Sequence, residues 1–220
     1  MSLIHLQALQ DNPAFILAIW QMDESLEQLK LQIMASGRED LMPPATITNE
    51  KRKTEWLATR CALLQVNKVK REGIYYNENG KPFLLSGAGH ISIAHAWPHV
   101  CILMHETRLV GVDIESMTDR ILRIAPKFIN EEERKWLSTP FNIYELYLIW
   151  AAKEAVFKLK GGGGIDFRLH LTVNATSIQN KGIAILTYSK NGLTEQLNIY
   201  YQFLDRLIVV YTIANDTHLT

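Results

Sequence analysis

The sequence predicts an α+β chain made of two closely packed halves, each with several strands and one substantial helix. Three observations predict it. Apolar or alternating runs of strand length recur in both halves, at 14–20, 90–95, 99–105 and 109–115, and again near 182–189, 196–203 and 207–213. One long helical stretch stands in each half, at about 48–66 and 142–160. No Pro/Gly/Ser-rich linker marks the passage between halves around 108–116, so the division into 1–110 and 111–220 reads as two parts of one compact unit. A chain of 220 residues is long enough for either one large core or two small ones.

Residues 14–20, AFILAIW, are apolar on both faces and read as a buried strand. Residues 23–35 follow as a helix, with Asp23 as N-cap and Leu26, Leu29 and Ile33 at helical spacing. Pro43 and Pro44 break the chain before the helix of 48–66, whose apolar side carries Trp56, Leu57, Cys61, Leu63 and Leu64. In IYYNENGKPFLL, Asn79-Gly80 is a tight-turn signal between strand-like flanks. After the three central strands, 121–128 and 131–137 read as short helices. The longest helix, 142–160, stops at the four glycines 161–164, and the tail strands are separated by turns such as Asn191-Gly192.

Composition narrows the function. Lys+Arg and Asp+Glu are equal at 23 each, which excludes a generally basic nucleic-acid binder while leaving room for a local basic patch. There is no apolar run of membrane-spanning length, and MSLIHLQALQD lacks the basic and apolar regions of a signal peptide. Cys61 and Cys101 lie in apolar runs without a CxxC, as expected of buried free thiols in a cytoplasmic protein.

Four clusters carry chemistry. In LVGVDIE (109–115) alternation sends Val110, Val112 and Ile114 to one face and Gly111, Asp113 and Glu115 to the other. Two carboxylates beside a glycine that leaves space suit a hard divalent cation, though a half-exposed strand with two solvated acids has the same pattern. In WAAKEAVFK (150–158), Trp150, Glu154 and Lys158 share one helix stripe, fit for a metal and a phosphate together or for a plain surface ion pair. Residues 51–71 hold Lys51, Arg52, Lys53, Arg60, Lys68, Lys70 and Arg71 against the single acid Glu55, a local excess of six positive charges. That suits a polyphosphate ligand, with Lys81 as an addition, or a solvated helix face. His95 ends the strand ISIAH and is either a structural hydrogen-bonder or a phosphate donor if its strand abuts the basic helix. Gly161–Gly164 lacks a following Lys-Ser/Thr and is no P-loop.

Taken in order, these segments resemble the 4'-phosphopantetheinyl transferase superfamily, in particular its larger two-lobed (Sfp-type) members. The resemblance runs from about Lys51 to Phe167 and is carried by GVDIE at 111–115 and WAAKEAVFK at 150–158. GKPF at 80–83, the strand ending in His95, KRKTEWLATR at 51–60, and Phe128 with Glu133 support it. It implies a pseudo-twofold fold of two similar lobes, each a small antiparallel sheet packed with a long helix. The first lobe would take the nucleotide side of coenzyme A and the second the metal and catalytic helix, with the active site between them. It implies a holo-[acyl-carrier-protein] synthase type enzyme that moves 4'-phosphopantetheine from coenzyme A to a serine of an acyl or peptidyl carrier protein, needs Mg2+ and releases 3',5'-ADP. Asp113, Glu115 and Glu154 would ligand the metal, and Lys158 would contact the pyrophosphate. Arg52, Arg60, Lys81 and His95 would hold the nucleotide, His95 at the 3'-phosphate. Glu154 or Glu133 would act as base, and Lys153 would be structural or a further phosphate contact. A monomer, without nucleic-acid or membrane partners, is expected.

Two departures stand out. Ala94 and Ala96 replace family serines beside His95, which motivates a second reading, a non-catalytic coenzyme A or carrier-protein binding module. A third reading keeps only a metal-dependent phosphoesterase. Because Ala94 and His95 alternate, a shared role for both also predicts a break in strand regularity at this point.

Overall fold

The seven strand-length runs read from the sequence lie in two antiparallel sheets. A computed structural model describes residues 2–9, 12–66 and 72–215, and the chain divides into two units, Met1–Thr107 and Arg108–Thr220. Leu109 already accepts a hydrogen bond from Ala214 N of the second sheet (2.9 Å).

The first unit contains β1 (Ser2–Leu9), β2 (Asn12–Gln21), α1 (Leu26–Ala35), α2 (Glu50–Val66), β3 (Ile74–Tyr76), β4 (Pro82–Leu84), β5 (His90–Ala96) and β6 (His99–His105). Its sheet has the order β1-β2-β6-β5, all antiparallel. The AFILAIW run forms most of β2, and Phe15 and Trp20 are completely buried. Leu29 and Ile33 of α1 and Leu57, Cys61 and Leu63 of α2 close the core with Ile102 of β6. Ser25, not Asp23, caps α1. Its hydroxyl accepts from Gln28 N, and the Gln28 side chain accepts from Ser25 N in return, while Asp23 takes the Gln21 amide. β3 and β4 form a separate ribbon turned at Asn79-Gly80, where Gly80 has φ +74°.

The second unit contains β7 (Val110–Ser116), α3 (Arg120–Ile124), α4 (Glu131–Arg134), α5 (Ile143–Lys160), β8 (Leu171–Val173), β9 (Lys181–Lys190), β10 (Leu193–Leu204) and β11 (Leu207–Ile213). The sheet order is β7-β11-β10-β9-β8. Asn142 caps the start of α5 by accepting from Tyr144 N. Gly161 ends the helix in the left-handed region, with Gly162 N donating to Phe157 O.

The two units share one wiring. In the first, β2 leads to α2, and β6, second strand of the β5–β6 hairpin, returns beside β2. In the second, β7 leads to α5, and β11, second strand of the β10–β11 hairpin, returns beside β7. The fold is therefore α+β, with a small antiparallel sheet and one long helix in each unit. Among the described residues no helix is long and apolar enough to cross a membrane. Cys61 and Cys101 are both buried, with no disulfide between them.

The carboxylate face of β7 is not open. Val110, Val112 and Ile114 are buried as expected, but α5 lies across the face that holds Gly111 and Asp113. A Cβ at Gly111 would stand 1.9 Å from Ala155 O. The glycine thus makes room for a helix backbone rather than for an ion, and the fully buried Ala151, Ala152 and Ala155 make the same close approach possible from the helix side.

Candidate active site

Because α5 crosses β7 so closely, side chains from both elements meet. Asp113 is 5% exposed, and its Oδ1 accepts from Lys158 Nζ at 2.7 Å. Lys158 also donates to Val112 O at 3.1 Å. Asp113 Oδ2 is buried without a hydrogen-bond partner. Glu115 Oε1 accepts from Trp150 Nε1 at 2.7 Å, which fixes one end of the Trp150–Glu154–Lys158 stripe. The indole itself packs between Phe128 and Phe167, at centroid distances of 5.2 and 5.6 Å. The stripe is therefore partly buried, not a surface ion pair.

The electrostatics are those of crowded acids. Burial, then the Asp113 charge, pushes Glu115 up to about 7, against the pull of the Trp150 hydrogen bond and of Lys158. Burial, then Asp113, pushes Glu154 up to about 7 as well, with Glu115 adding to the rise and Lys158 opposing it. Asp113 is also raised, by burial, with Lys158 as the main opposing influence. Among the described residues no three His, Cys, Asp or Glu side chains converge as a ligand set, and the ammonium of Lys158 supplies the positive charge on Asp113. Two features nevertheless fit a hard divalent cation here: a buried carboxylate oxygen with nothing to bind, and three oxygen-donor groups that hinder one another's ionisation.

Glu133 and Lys153 belong to the scaffold. Both side chains are 0% exposed and form an ion pair of 2.8 Å. Lys153 also donates to Phe128 O and Phe167 O. Glu133 accepts from Asn130 N and Val173 N and closes a capping box at α4. With its oxygens committed to these partners and no exposure, Glu133 has no access to a substrate proton. In this arrangement Glu133 and Lys153 tie α4, α5 and β8 together.

The first unit holds a cavity of about 560 Å3 lined by residues that include Arg52, Glu55, Trp56, Thr59, Arg60, Tyr76 and His95. Arg60, drawn from the sequence as part of a basic surface, is 1% exposed. Its guanidinium carbon lies 3.2 Å from the centre of the Trp56 ring, Nη1 donates to Trp56 O, and Nη2 is buried without a partner. Burial lowers the pKa of this guanidinium. Trp56 is in turn pinned by its Nε1 bond to Leu41 O (2.9 Å). β5 does abut α2: His95 Nε2 is 3.0 Å from Thr59 Oγ1. Since the Thr59 hydroxyl donates to Glu55 O at 2.7 Å, the imidazole is the donor in that contact.

Lys81 stands half-buried after the β3–β4 turn and is not among the residues lining this cavity. Lys51 lies 5.4 Å from the Trp97 ring centre. Lys68, Lys70 and Arg71 fall outside the described residues. The expected break at Ala94 does not occur, since Ala94, His95 and Ala96 pair in unbroken register with Cys101, Val100 and His99. Ala94 and Ala96 are buried on the face opposite His95. The sequence flagged neither Trp56 and Tyr76 as cavity walls nor Thr59 as the partner of His95. The signal was present in the helical spacing of Arg52, Trp56, Thr59 and Arg60.

Comparison with known proteins agrees with this chemistry. The family model of the 4'-phosphopantetheinyl transferase superfamily matches residues 109–206, the stretch that carries β7 and α5. The 4'-phosphopantetheinyl transferase gsp of Aneurinibacillus migulanus is 29% identical over 151 residues, covering 66% of this chain and 60% of that relative's length. The GVDIE strand and the WAAKEAVFK helix, crossed in the fold, both lie inside the matched stretch, and over that stretch this chain is similar to the 4'-phosphopantetheinyl transferase superfamily.

Proposed function

We propose that this protein is an active phosphopantetheinyl transferase of the two-lobed type. It moves the 4'-phosphopantetheine group of coenzyme A to a serine of an acyl or peptidyl carrier protein and releases 3',5'-ADP. The observation that carries this reading is the Asp113 carboxylate, with Lys158 on one oxygen and nothing on the other, beside Glu115 and Glu154. Asp113, Glu115 and Glu154 would hold Mg2+, which when bound offsets the charge that develops on a diphosphate leaving group. Lys158, 28% exposed on its side chain, is free to swing from Asp113 to a diphosphate oxygen.

The serine Oγ attacks the phosphorus that bears pantetheine, the bond to 3',5'-ADP breaks, and the serine proton passes to a carboxylate directly or through water. Glu154, with a pKa raised to about 7, is suited to receive it. Arg52, Arg60 and His95 of the first-unit cavity, with Lys81, hold the phosphate-bearing nucleotide end. The enzyme would work as a cytoplasmic monomer, and a trimer on gel filtration would contradict the self-sufficient site this implies.

The motive for a non-catalytic binding module weakens, because Ala94 and Ala96 lie on the face away from His95. Incubation with Mg2+, coenzyme A and apo carrier proteins of the same organism, followed by intact mass, tests the proposal. Addition of one phosphopantetheine is expected, and no addition with any carrier or metal would sink it.

A further inference from the structure

Among the described residues one acid lines the first-unit cavity, and its placement is hard to reconcile with a pocket that only holds phosphates. Glu55 is 8% exposed and lines the cavity with Arg52 and Arg60. Among the described residues its carboxylate forms no ion pair or hydrogen bond. Its oxygens are not among the fully enclosed atoms, so a ligand that fills the cavity takes them out of water and must supply a donor. The nearby cation does not provide it, since Arg60 rests on the Trp56 ring and leaves its own Nη2 unpartnered. Two opposite charges in one cavity, neither neutralising the other, call for a ligand with two chemistries: an anion for the arginines and a neutral hydrogen-bond donor for the acid.

Helical spacing arranges them for this. Arg52, Glu55 and Thr59 follow at i, i+3 and i+7 on one side of α2, while Trp56 and Tyr76 add flat apolar wall to the same cavity. A volume of about 560 Å3 accommodates a nucleoside. We propose that Glu55 selects the base of the nucleotide bound here, its carboxylate accepting a hydrogen bond from the exocyclic amine of a purine whose phosphates lie on Arg52 and Arg60. The inference rests on the transferase reading and adds to it a specificity-determining residue. Phosphate contacts alone do not distinguish one base from another, whereas a buried acceptor does, because replacing the amine by a carbonyl sets two acceptors against each other.

Titration calorimetry with coenzyme A and with its hypoxanthine analogue, in which a carbonyl replaces the amine, measures the selection as a ratio of affinities. The unsubstituted protein should prefer coenzyme A by tenfold or more. Glu55→Ala should bring the two within about twofold, and Glu55→Gln should do the same, since an amide can turn to serve either base. Alanine is well tolerated within a helix, and circular dichroism checks that each variant is folded. The ratio is insensitive to partial loss of active protein. If the carboxylate acts only as a negative charge, both variants will tighten both ligands and leave the ratio intact, which overturns the assignment. A preference that disappears only with a 2'-deoxyribose analogue, and persists in both variants, overturns it in favour of sugar recognition. If coenzyme A itself does not bind the unsubstituted protein, the transferase reading falls and this assignment falls with it. If coenzyme A binds and the ratio survives both substitutions, Glu55 alone is wrong.

Discussion

Two lysines little more than one helical turn apart on α5 make the same nominal interaction with opposite consequences. Lys153 and Glu133 are 0% exposed, and Lys153 donates to Glu133 Oε2 and to two carbonyls. Each of the Glu133 oxygens has a backbone N–H as well. Lys158 and Asp113 are paired just as closely, at 2.7 Å, yet one Asp113 oxygen is left without a partner and the lysine reaches solvent. A fully satisfied buried pair holds α4, α5 and β8 in place and has nothing left to offer a ligand. An incompletely satisfied pair keeps bonding capacity in reserve, and that is where chemistry can take place. Burial and pairing alone would have classed the two together; counting the partners of every polar atom separates them.

The largest effect should come from breaking the satisfied pair. Lys153→Met leaves Glu133 buried and unpaired, and should lower stability by about 3–5 kcal/mol in urea unfolding. The double variant Lys153→Met with Glu133→Leu should recover much of that loss, since no charge is then left behind. A single variant with stability near that of the unsubstituted protein would remove the distinction between the two pairs.

Asp113→Asn applies the same test to the other pair. It keeps the shape of the side chain, removes an acid that burial already disfavours, and lets the partly exposed Lys158 turn to water. Stability should change by no more than about 1 kcal/mol, while transfer to a carrier protein should fall by a factor of about 100 or more. Normal turnover in this variant would mean that the wrong carboxylates have been chosen.

The sequence made part of this legible. Periodicity and Asn-Gly turns located α2, α5, the β3–β4 ribbon and the tail hairpin, because each of these carries its signal locally. β1 was missed because only pairing with β2 makes SLIHLQAL a strand, and β8, at three residues, is too short to show alternation. Alternation along β7 correctly divided its residues between two faces but does not say which face is covered. Gly111 between two valines held that information, as a strand glycine often marks the approach of another backbone. In α2 the charges were visible, but not that Arg60 and Glu55 would be buried, because that depends on Tyr76 and His95 arriving from elsewhere in the unit to close the cavity with Trp56.

A smaller effect sharpens the contrast through pH. Glu115 and Glu154 titrate near 7 in the folded protein against 4.5 as the reference value. Between those values the native state holds protons that the unfolded chain has released, so stability falls as pH rises and levels off above 7. Unfolding in urea at pH 5 and pH 8 should differ by about 1–3 kcal/mol beyond the background of other groups. Glu154→Gln should reduce that difference, and Mg2+ should reduce it as well by favouring the ionised carboxylates. A pH response unaffected by either change would contradict the crowding of acids around Asp113.

The smallest effect is expected at Ala94, where family resemblance alone would suggest a large one. A serine there, if it joined His95 on a ligand, would tighten coenzyme A by up to about tenfold. The structure argues against it. β5 runs in regular register through Ala94, His95 and Ala96, so residue 94 points away from His95 and the cavity it lines. Ala94 is 2% exposed, in a row with Ser92 and Ala96 that is buried along its length. His95 already has Thr59 as partner, from α2 rather than from its own strand. A hydroxyl added at 94 would be a new buried polar group, costing about 1 kcal/mol of stability unless it finds a backbone acceptor. Calorimetry should therefore show coenzyme A affinity unchanged within about twofold in Ala94→Ser, with a slightly lower melting temperature. Tenfold tighter binding would mean that β5 changes register when the nucleotide arrives, and that the satisfied state of His95 described here is not the one that meets ligand.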